Sequence, residues 1–229
     1  MNRYRYLLFD ADGTLFDYIS AERKALEHAL RLFGVTVTTP FHNIYQDINN
    51  ALWLEYEQGS VTREALRHLR FLRLFDAFGR TVDSHAFSDC YLEKLSQCPD
   101  LIDGAETLCR QLSGTHRLAL ITNGFAQVLY PRLKASPLAP YFQDVFVSEE
   151  MGCQKPDPAY FAHVLNALEV DRPEQVLVIG DSLSADIAGG LRSGLDTCWY
   201  NPAGEVQTVL NPTFEIRHLN ELNDYLTDA

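Results

Sequence analysis

The sequence has little positive charge, and its cysteines show no pattern typical of a structural site. Its 19 lysines and arginines stand against 31 aspartates and glutamates, which gives a formal net charge of −12. A surface this acidic repels a phosphate backbone, which argues against a nucleic acid polymer as a partner. The five cysteines are odd in number and form no C-x-x-C pair, which argues against a disulfide framework or a structural zinc site. We therefore expect free thiols in a reducing compartment.

Long hydrophobic runs, internal repeats and low-complexity tracts are also missing. No window approaches the roughly 18 uncharged apolar residues that a membrane span needs. The apolar stretch near the N-terminus is too short for a signal peptide, because Asp10 interrupts it. What is present is ordinary for a globular chain: 229 residues, of which 46% are hydrophobic and 22% charged. We expect a soluble, cytoplasmic protein, a monomer or homodimer, with no membrane partner.

The first part of the chain changes from a strand pattern to a helical one. Residues 4–9 form a short apolar run that ends at an acidic turn. From about residue 20 to residue 95, apolar positions recur at helical spacing with no strand between them. Ser20 is the expected N-cap of the first of these helices. This segment is therefore predicted to be an α-helical module.

After Pro99 short apolar runs alternate with amphipathic segments, which is typical of a parallel sheet covered by helices on both faces. The strands predicted here are residues 118–122, 145–148, 176–180 and 197–200, with a last strand and helix near 214–226. The sequence thus predicts an α/β fold class with an inserted helical domain. The predicted domains are residues 1–16 with 99–229 for the core and residues 17–98 for the insertion.

Polar residues stand where several of these strands end, and ligands of open α/β sheets bind beyond the carboxyl ends of the strands. The residues at the strand ends themselves are Asp10, Asp12, Thr122, Asn123 and Asp181. Asp186 lies on the turn after one such end, and Lys155 in a loop close before a helix, where it can converge with them. Crowded carboxylates repel one another, and a divalent cation and a bound phosphate would relieve that repulsion. Ligands that offer only oxygen favour Mg²⁺ over zinc. We therefore predict a magnesium and phosphate site at this edge.

The same residues resemble the four motifs of the haloacid dehalogenase (HAD) superfamily, in order along the chain. The matching segments are Asp10-x-Asp12-Gly13-Thr14, Thr122-Asn123-Gly124, Lys155-Pro156 and Gly180-Asp181-x₄-Asp186. Each motif is weak alone, but all of them in this order are specific. The resemblance implies a Rossmann-like parallel core with a helical cap inserted after the first strand. It also implies Mg²⁺-dependent chemistry on an aspartate.

The resemblance assigns a role to each matching residue. Asp10 is similar to the nucleophile that forms an aspartyl-phosphate. Asp12 is similar to the general acid and base, and its backbone carbonyl would also bind Mg²⁺. Asp10 and Asp181 correspond to direct metal ligands, and Asp186 to the residue that orients the metal or its waters. The groups expected to bind the phosphoryl oxygens are Thr122, the backbone N–H of Asn123, and Lys155.

Asp12 also separates the reactions of the superfamily. The resemblance implies that dehalogenases, phosphonatases and P-type ATPases carry a different residue two positions after the nucleophile, so an aspartate there favours phosphate esters. The expected activity is a phosphomonoesterase acting on a small-molecule phosphate ester. A sugar-phosphate or phosphoglycolate phosphatase, a phosphomutase and a module without catalysis are the alternatives.

Within the helical module, Trp53 and Tyr56 are the candidates for contact with the leaving group. They are three residues apart on one helical face and could stack against a planar base, with core packing as the alternative for either ring. The whole chain resembles the bacterial pyrimidine 5′-nucleotidase branch of the superfamily. The resemblance rests on Leu52-Trp53, Tyr56, Gly59 and residues 121–125, 148–152 and 197–201. It implies hydrolysis of pyrimidine nucleoside monophosphates such as dUMP, UMP and dTMP.

Overall fold

The computed structural model describes residues 3–36 and 39–227, and the chain divides into two compact units. One unit consists of Met1–Tyr18 and Pro99–Ala229, and the other of Ile19–Cys98. The second unit is thus inserted into the sequence of the first. Among the helices that the structure describes, none is both long and apolar enough to cross a lipid bilayer.

The larger unit is built on a parallel sheet with the strand order β3-β2-β1-β4-β5-β6. The chain adds strands outward from β1 on one side and then returns to β4 on the other, which creates the switch point where ligands of such sheets bind. This order is the one expected of a Rossmann-like core. The strands are β1 (Tyr6–Asp10), β2 (Arg117–Thr122), β3 (Asp144–Val147), β4 (Val176–Gly180), β5 (Asp196–Tyr200) and β6 (Phe214–Ile216).

Both faces of the sheet are buried. Successive side chains of a strand point to opposite faces, and in β1 the side chains on each face lie in a hydrophobic cluster. Leu7 and Phe9 of β1 pack into one hydrophobic cluster, and Tyr6 and Leu8 into another. The predicted parallel sheet covered on both faces is thereby confirmed. Its helices are α5 (Ala105–Leu112), α6 (Ala126–Ala135), α7 (Ser148–Met151), α8 (Pro158–Ala167), α9 (Ala188–Arg192) and α10 (Leu222–Thr227).

The predicted and observed elements of the larger unit differ in two respects. The strand bounds agree within one or two residues for β2 to β5, whereas β1 begins at Tyr6 rather than at residue 4. The sequence interpretation also missed α5, whose buried face carries Leu108 and Leu112. Gly104 precedes this helix in a left-handed conformation, and the helix packs into the same cluster as Leu7.

The regular elements in the described part of the inserted unit are all helices, as predicted. Two of its helices begin at capping side chains: Thr62 accepts a hydrogen bond from the N–H of Ala65, and Asp83 accepts from Ala86. The first helix begins at Tyr18, so the prediction of Ser20 as its N-cap is wrong, and Ser20 lies inside the helix. The helices are α1 (Tyr18–Leu32), α2 (Thr39–Glu57), α3 (Arg63–Ala77) and α4 (Ser84–Ser96).

Candidate active site

Neighbouring strand ends bring the predicted site residues to one edge of the sheet. Asp10 is the last residue of β1, Thr122 the last of β2, and Gly180 the last of β4. Because β1 pairs in parallel with both β2 and β4, these ends lie side by side. Asp186 lies in the helical turn Leu183–Ile187 that follows β4. The other residues of the site lie in the loops that follow these strands and in the loop before α8: Asp12, Asn123, Gly124, Lys155 and Asp181.

A cluster of carboxylates occupies the centre of this edge. Asp10, Asp181 and Asp186 each place one ligand oxygen within 4.8 Å of those of the other two. Asp10 and Asp186 are buried. Such an all-oxygen set matches the ligands that a hard divalent cation such as Mg²⁺ prefers. The residues present therefore fit the predicted metal.

Two glycines allow these carboxylates to approach the backbone. A Cβ on Gly13, whose φ is +93°, would lie 2.4 Å from Oδ2 of Asp181. A Cβ on Gly180 would lie 2.2 Å from Oδ2 of Asp186. Any side chain at either position would displace a carboxylate of the cluster. The glycines of the first and last motifs are thus needed for the geometry of the site.

Lys155 is a buried cation in contact with the carboxylate cluster. Its Nζ donates to Oδ1 of Asp10 and to Oδ1 of Asp186, both at 2.6 Å, and to the carbonyl oxygen of Ile121 at 3.3 Å. Burial lowers the pKa of Lys155, but the attraction of Asp10 and Asp186 outweighs burial and raises it. Lys155 is therefore charged and offsets part of the negative charge of the cluster.

The remaining negative charge disfavours ionisation of the carboxylates. Burial raises the pKa of Asp10 well above its usual value; Lys155 opposes this shift, and the charges of Asp186 and Asp181 add to it. Burial, followed by the charge of Asp186, raises the pKa of Asp181 to about 7. A bound cation would favour the ionised forms of these groups. The electrostatics of the cluster are therefore those of a cation site.

The loop after β2 is held in place by side chains as well as by the backbone. The hydroxyl of Thr122 accepts a hydrogen bond from the N–H of Gly124 at 2.9 Å, and the N–H of Thr122 donates to the Tyr160 hydroxyl at 3.1 Å. Tyr160 in turn donates to the carbonyl of Phe146 at 2.8 Å. The Thr122 side chain is thereby fixed at the end of its strand, beside the cluster.

Asn123 ties this loop to the lysine. Its Nδ2 donates to the carbonyl of Lys155 at 2.8 Å, and its Oδ1 accepts from the N–H of Lys155 at 3.0 Å. The side chain of Asn123 therefore acts as a brace between two loops. Its backbone N–H is the group predicted to contact a phosphoryl oxygen.

Asp12 has a partner that the sequence interpretation did not identify. Nη1 of Arg132 donates to Oδ1 of Asp12 at 2.5 Å, and Arg132 is completely buried. Its guanidinium also lies over the ring of Phe16, with the central carbon 4.5 Å from the ring centroid. In the sequence, the local indication that Arg132 is buried was its position on the apolar stripe of α6, beside Val128 and Leu129.

Trp53 and Tyr56 of α2 contact each other within the inserted unit, with ring centroids 5.8 Å apart and nearly perpendicular planes. Tyr56 is buried, and its hydroxyl accepts a hydrogen bond from Nη2 of Arg63 at 2.6 Å. Trp53 is only partly buried. Tyr56 is thus packed within the inserted unit, whereas Trp53 keeps part of its surface exposed.

Comparison with known proteins agrees with this geometry. The model of the haloacid dehalogenase-like hydrolase family matches residues 4–194. The HAD-hydrolase YfnB of Bacillus subtilis is 41% identical, over 97% of this chain and 95% of its own. A crystal structure of YfnB, described as bound to magnesium and as revealing interdomain movement, has a TM-score of 0.94 at 40% identity and covers 98% of this chain and 99% of its own.

Two further relatives carry a more specific name. The pyrimidine 5′-nucleotidase PynA of Streptococcus pneumoniae is 37% identical, over 97% of this chain and 95% of its own. The pyrimidine 5′-nucleotidase YjjG of Escherichia coli is 30% identical, over 98% of both. The predicted resemblance is thereby confirmed. A family match over most of the chain, joined to relatives of this identity along nearly their whole length, shows that this protein belongs to the haloacid dehalogenase-like hydrolases.

Proposed function

We propose that this protein is a Mg²⁺-dependent phosphomonoesterase that hydrolyses pyrimidine nucleoside 5′-monophosphates through an aspartyl-phosphate. The observation that carries the proposal is the convergence of Asp10, Asp181, Asp186 and Lys155 at one edge of the sheet. The carboxylate next along the chain, Asp12, adds a second acid–base group. The names of the relatives PynA and YjjG support the pyrimidine nucleotide as substrate.

The proposed metal site uses the carboxylates of Asp10 and Asp181 and the backbone carbonyl of Asp12. Asp186 is held by Lys155 and by the N–H of Ser182, which donates to its Oδ2 at 3.1 Å. This fixed position suits a group that orients the metal or its waters. When bound, Mg²⁺ neutralises charge on the carboxylates and on the phosphoryl oxygens.

The proposed reaction has two displacements at phosphorus. In the first, a carboxylate oxygen of Asp10 forms a bond to phosphorus while the bond to the leaving nucleoside oxygen breaks, and Asp12 gives a proton to that oxygen. In the second, a water oxygen attacks phosphorus, Asp12 takes the proton of the water, and the bond to Asp10 breaks. Phosphate leaves, and both aspartates return to their first state.

The phosphoryl group would be bound by the loop after β2. The hydroxyl of Thr122 and the backbone N–H of Asn123 are the proposed donors, and Lys155 supplies positive charge. Nζ of Lys155 donates to protein acceptors in the structure. Binding of a phosphoryl oxygen by Lys155 would therefore require it to share or exchange one of these hydrogen bonds.

We further propose that the inserted helical unit is the cap that contacts the leaving group. Its residues, Ile19–Cys98, lie in the sequence between the catalytic loop after β1 and the rest of the larger unit. Trp53 offers a partly exposed aromatic surface, which suits a planar base better than a small sugar acid. The cap would thus discriminate between nucleotides and other phosphate esters.

The test of the proposed function is phosphate release from a panel of esters with and without Mg²⁺. The panel contains dUMP, UMP, dTMP, AMP, phosphoglycolate and several hexose phosphates. We expect Mg²⁺-dependent release that is fastest with the pyrimidine nucleotides. Release led by sugar phosphates or phosphoglycolate would overturn the nucleotidase proposal and retain the chemistry. Conversion of one hexose phosphate into another, with little free phosphate, would indicate a mutase.

Trp53→Ala tests the role of the cap. We expect the KM for dUMP to rise about 10-fold, because stacking of a base on an aromatic ring contributes about 1–3 kcal/mol. The KM for glycerol phosphate, which has no ring, should not change. Leu54→Ala removes an exposed neighbour on the same helix and serves as the control. Equal increases for both substrates would mean that Trp53 only packs.

The raised pKa of Asp181 predicts how pH affects the stability of the metal-free protein. Asp181 titrates near 3.8 when unfolded and at about 7 when folded. Between these values the folded state holds more protons than the unfolded state, so the free energy of unfolding falls as pH rises through this window. Asp181→Asn removes this penalty. Without metal, we expect its melting temperature to exceed that of the natural protein by about 3 °C or more at pH 7.5, the effect of ~1 kcal/mol.

At about pH 3, below both pKa values, the two proteins should melt at nearly the same temperature, because Asp181 is then protonated in the unfolded state as well as in the folded state. Addition of Mg²⁺ at pH 7.5 should stabilise the natural protein and have a much smaller effect on Asp181→Asn. Asp171→Asn removes an exposed carboxylate of the larger unit and is the control for a lost surface charge. A constant difference at all pH values would contradict the prediction. Differential scanning fluorimetry measures each of these temperatures.

A further inference from the structure

Arg132 is a fixed charge buried beside the proposed acid–base residue. Its side chain is completely buried, and its guanidinium offers only hydrogen-bond donors. A buried charge is retained only where it is paired, and here the pair is with Oδ1 of Asp12 at 2.5 Å. The flat face of the guanidinium lies over Phe16, four residues after Asp12. The loop that carries Asp12 is thus bound to Arg132 at two points.

The second oxygen of Asp12 faces a different group. A Cβ built on Gly124 would lie 3.3 Å from Oδ2 of Asp12 and 3.0 Å from the hydroxyl oxygen of Thr122. Oδ2 therefore lies next to the loop proposed to bind the phosphoryl group. The carboxylate of Asp12 is held by Arg132 through one oxygen and presents the other toward that loop.

We propose that Arg132 is a positioning residue that makes Oδ2 the proton-carrying oxygen of Asp12. This inference rests on the proposed phosphatase function. A guanidinium only donates hydrogen bonds, so Oδ1 must act as an acceptor whether Asp12 is ionised or neutral. The proton that Asp12 gives to the leaving oxygen and takes from water is then carried on Oδ2. Arg132 fixes the orientation of the carboxylate through both displacements.

The position of Arg132 in the sequence supports this role. Helix α6 begins at Ala126, directly after the Thr122–Phe125 loop, and Arg132 lies in the same helix. One rigid element therefore connects the phosphoryl loop with the orientation of Asp12. A planar, forked cation holds a carboxylate in one orientation better than the single ammonium of a lysine does.

The test is a double-mutant cycle of Arg132→Met and Asp12→Asn, assayed with dUMP and with p-nitrophenyl phosphate. We expect Arg132→Met to lower kcat for dUMP by about 10²-fold with little change in KM, as for a misplaced catalytic group. Asp12→Asn should lower kcat by ~10²–10⁴-fold. Both variants should lose less activity with p-nitrophenyl phosphate, whose leaving group needs little protonation. The double variant should be no slower than Asp12→Asn alone.

A purely structural role gives a different pattern. Arg132→Met would then slow the enzyme by the same factor with or without Asp12 and with either substrate, and this would overturn the inference. If Arg132→Met does not fold, Arg132→Lys keeps the charge and enters the same cycle. Arg117→Met, which removes a surface ion pair with Asp144 at the other edge of the sheet, is the control and should keep its activity.

The same assays separate this inference from the proposed function. An inactive natural protein, or an Asp12→Asn variant as active as the natural protein, would refute the phosphatase mechanism itself. An active natural protein and a slow Asp12→Asn variant, together with independent effects of Arg132, would refute the positioning role alone.

Discussion

Asp10→Asn is expected to abolish phosphate release while leaving the fold intact. The variant keeps the shape of the side chain and an oxygen that can accept the hydrogen bond from Lys155, which spans 2.6 Å. What it lacks is the carboxylate that forms the bond to phosphorus. An amide is a far weaker nucleophile, so kcat should fall by at least about 10⁴-fold, the scale seen when a catalytic nucleophile is removed.

The stability of this variant should not fall with its activity. Burial and the charges of Asp186 and Asp181 disfavour the ionised form of Asp10, as its raised pKa shows. A neutral side chain at this position removes that repulsion. We therefore expect the melting temperature in the absence of Mg²⁺ to be unchanged or higher. Loss of both activity and fold would show that Asp10 has a structural role that the geometry does not predict.

The covalent intermediate gives an independent readout. After rapid mixing with dUMP and an acid quench, the natural protein should gain the mass of one phosphoryl group on the peptide that contains Asp10. Asp10→Asn should show no such gain. Asp103→Asn, which changes an exposed residue of the larger unit, should behave like the natural protein. Comparable phosphate release from Asp10→Asn would refute the nucleophile assignment.

Much of the site could be predicted because each of its motifs is local. Asp10, Thr122 and Gly180 end apolar strands that are visible in the sequence, and parallel strands bring their carboxyl ends to one edge. Once the strands were identified, the meeting of Asp10 with Asp181 followed from the fold. In the structure, carboxylate oxygens of Asp10, Asp181 and Asp186 lie within 4.8 Å of one another, as the meeting of these strand ends requires.

The partners of these residues could not be predicted in the same way. The contact of Arg132 with Asp12 spans 120 positions in the sequence, and that of Lys155 with Asp10 spans 145. A basic residue in a helix is normally solvated, so the sequence interpretation had no reason to expect Arg132 inside. A charged residue on the apolar stripe of a helix is the sequence signal that indicates a buried charge. Glu22, on the buried face of α1, is a second example, and it accepts a hydrogen bond from the buried Asn49 of the same unit.

Element boundaries depended on weaker signals. Ser20 was expected to begin α1, but Asp17, which belongs to the same class of capping residues, directly precedes the observed start at Tyr18. Helix α5 was missed because it spans only Ala105–Leu112, and its apolar positions are too few to stand out. Its place is decided by packing against the sheet, which no local pattern reveals.

Lys155→Met should have the largest effect on stability. Lys155 is almost completely buried and contacts the carboxylates of Asp10 and Asp186, which are themselves buried. Its removal leaves those carboxylates without their shared cation, and removal of one partner of a buried ion pair costs about 3–5 kcal/mol. We expect a loss of this size in the free energy of unfolding at pH 7.5 without metal, measured by urea denaturation.

The loss should depend on the carboxylates rather than on the lost packing of the lysine stem. In Lys155→Met/Asp186→Asn the buried charge that lacks a partner is reduced, so the double variant should recover much of the stability. Mg²⁺ should also stabilise Lys155→Met more than it stabilises the natural protein, because the cation then meets the charge that Lys155 offset. Lys134→Met, on the exposed side of α6, controls for the change in net charge.

Activity provides the decisive comparison for Lys155. The variant is expected to bind Mg²⁺ and yet to lose most of its kcat, because the charge that holds Asp10 and stabilises the phosphoryl group is gone. Lys155→Arg keeps a charge but cannot place a single nitrogen at 2.6 Å from both Oδ1 atoms in the same compact space, so it should recover little activity. Full activity in Lys155→Met with Mg²⁺ would show that the metal alone neutralises the cluster. The lysine would then serve only to keep the carboxylates folded together until the metal binds.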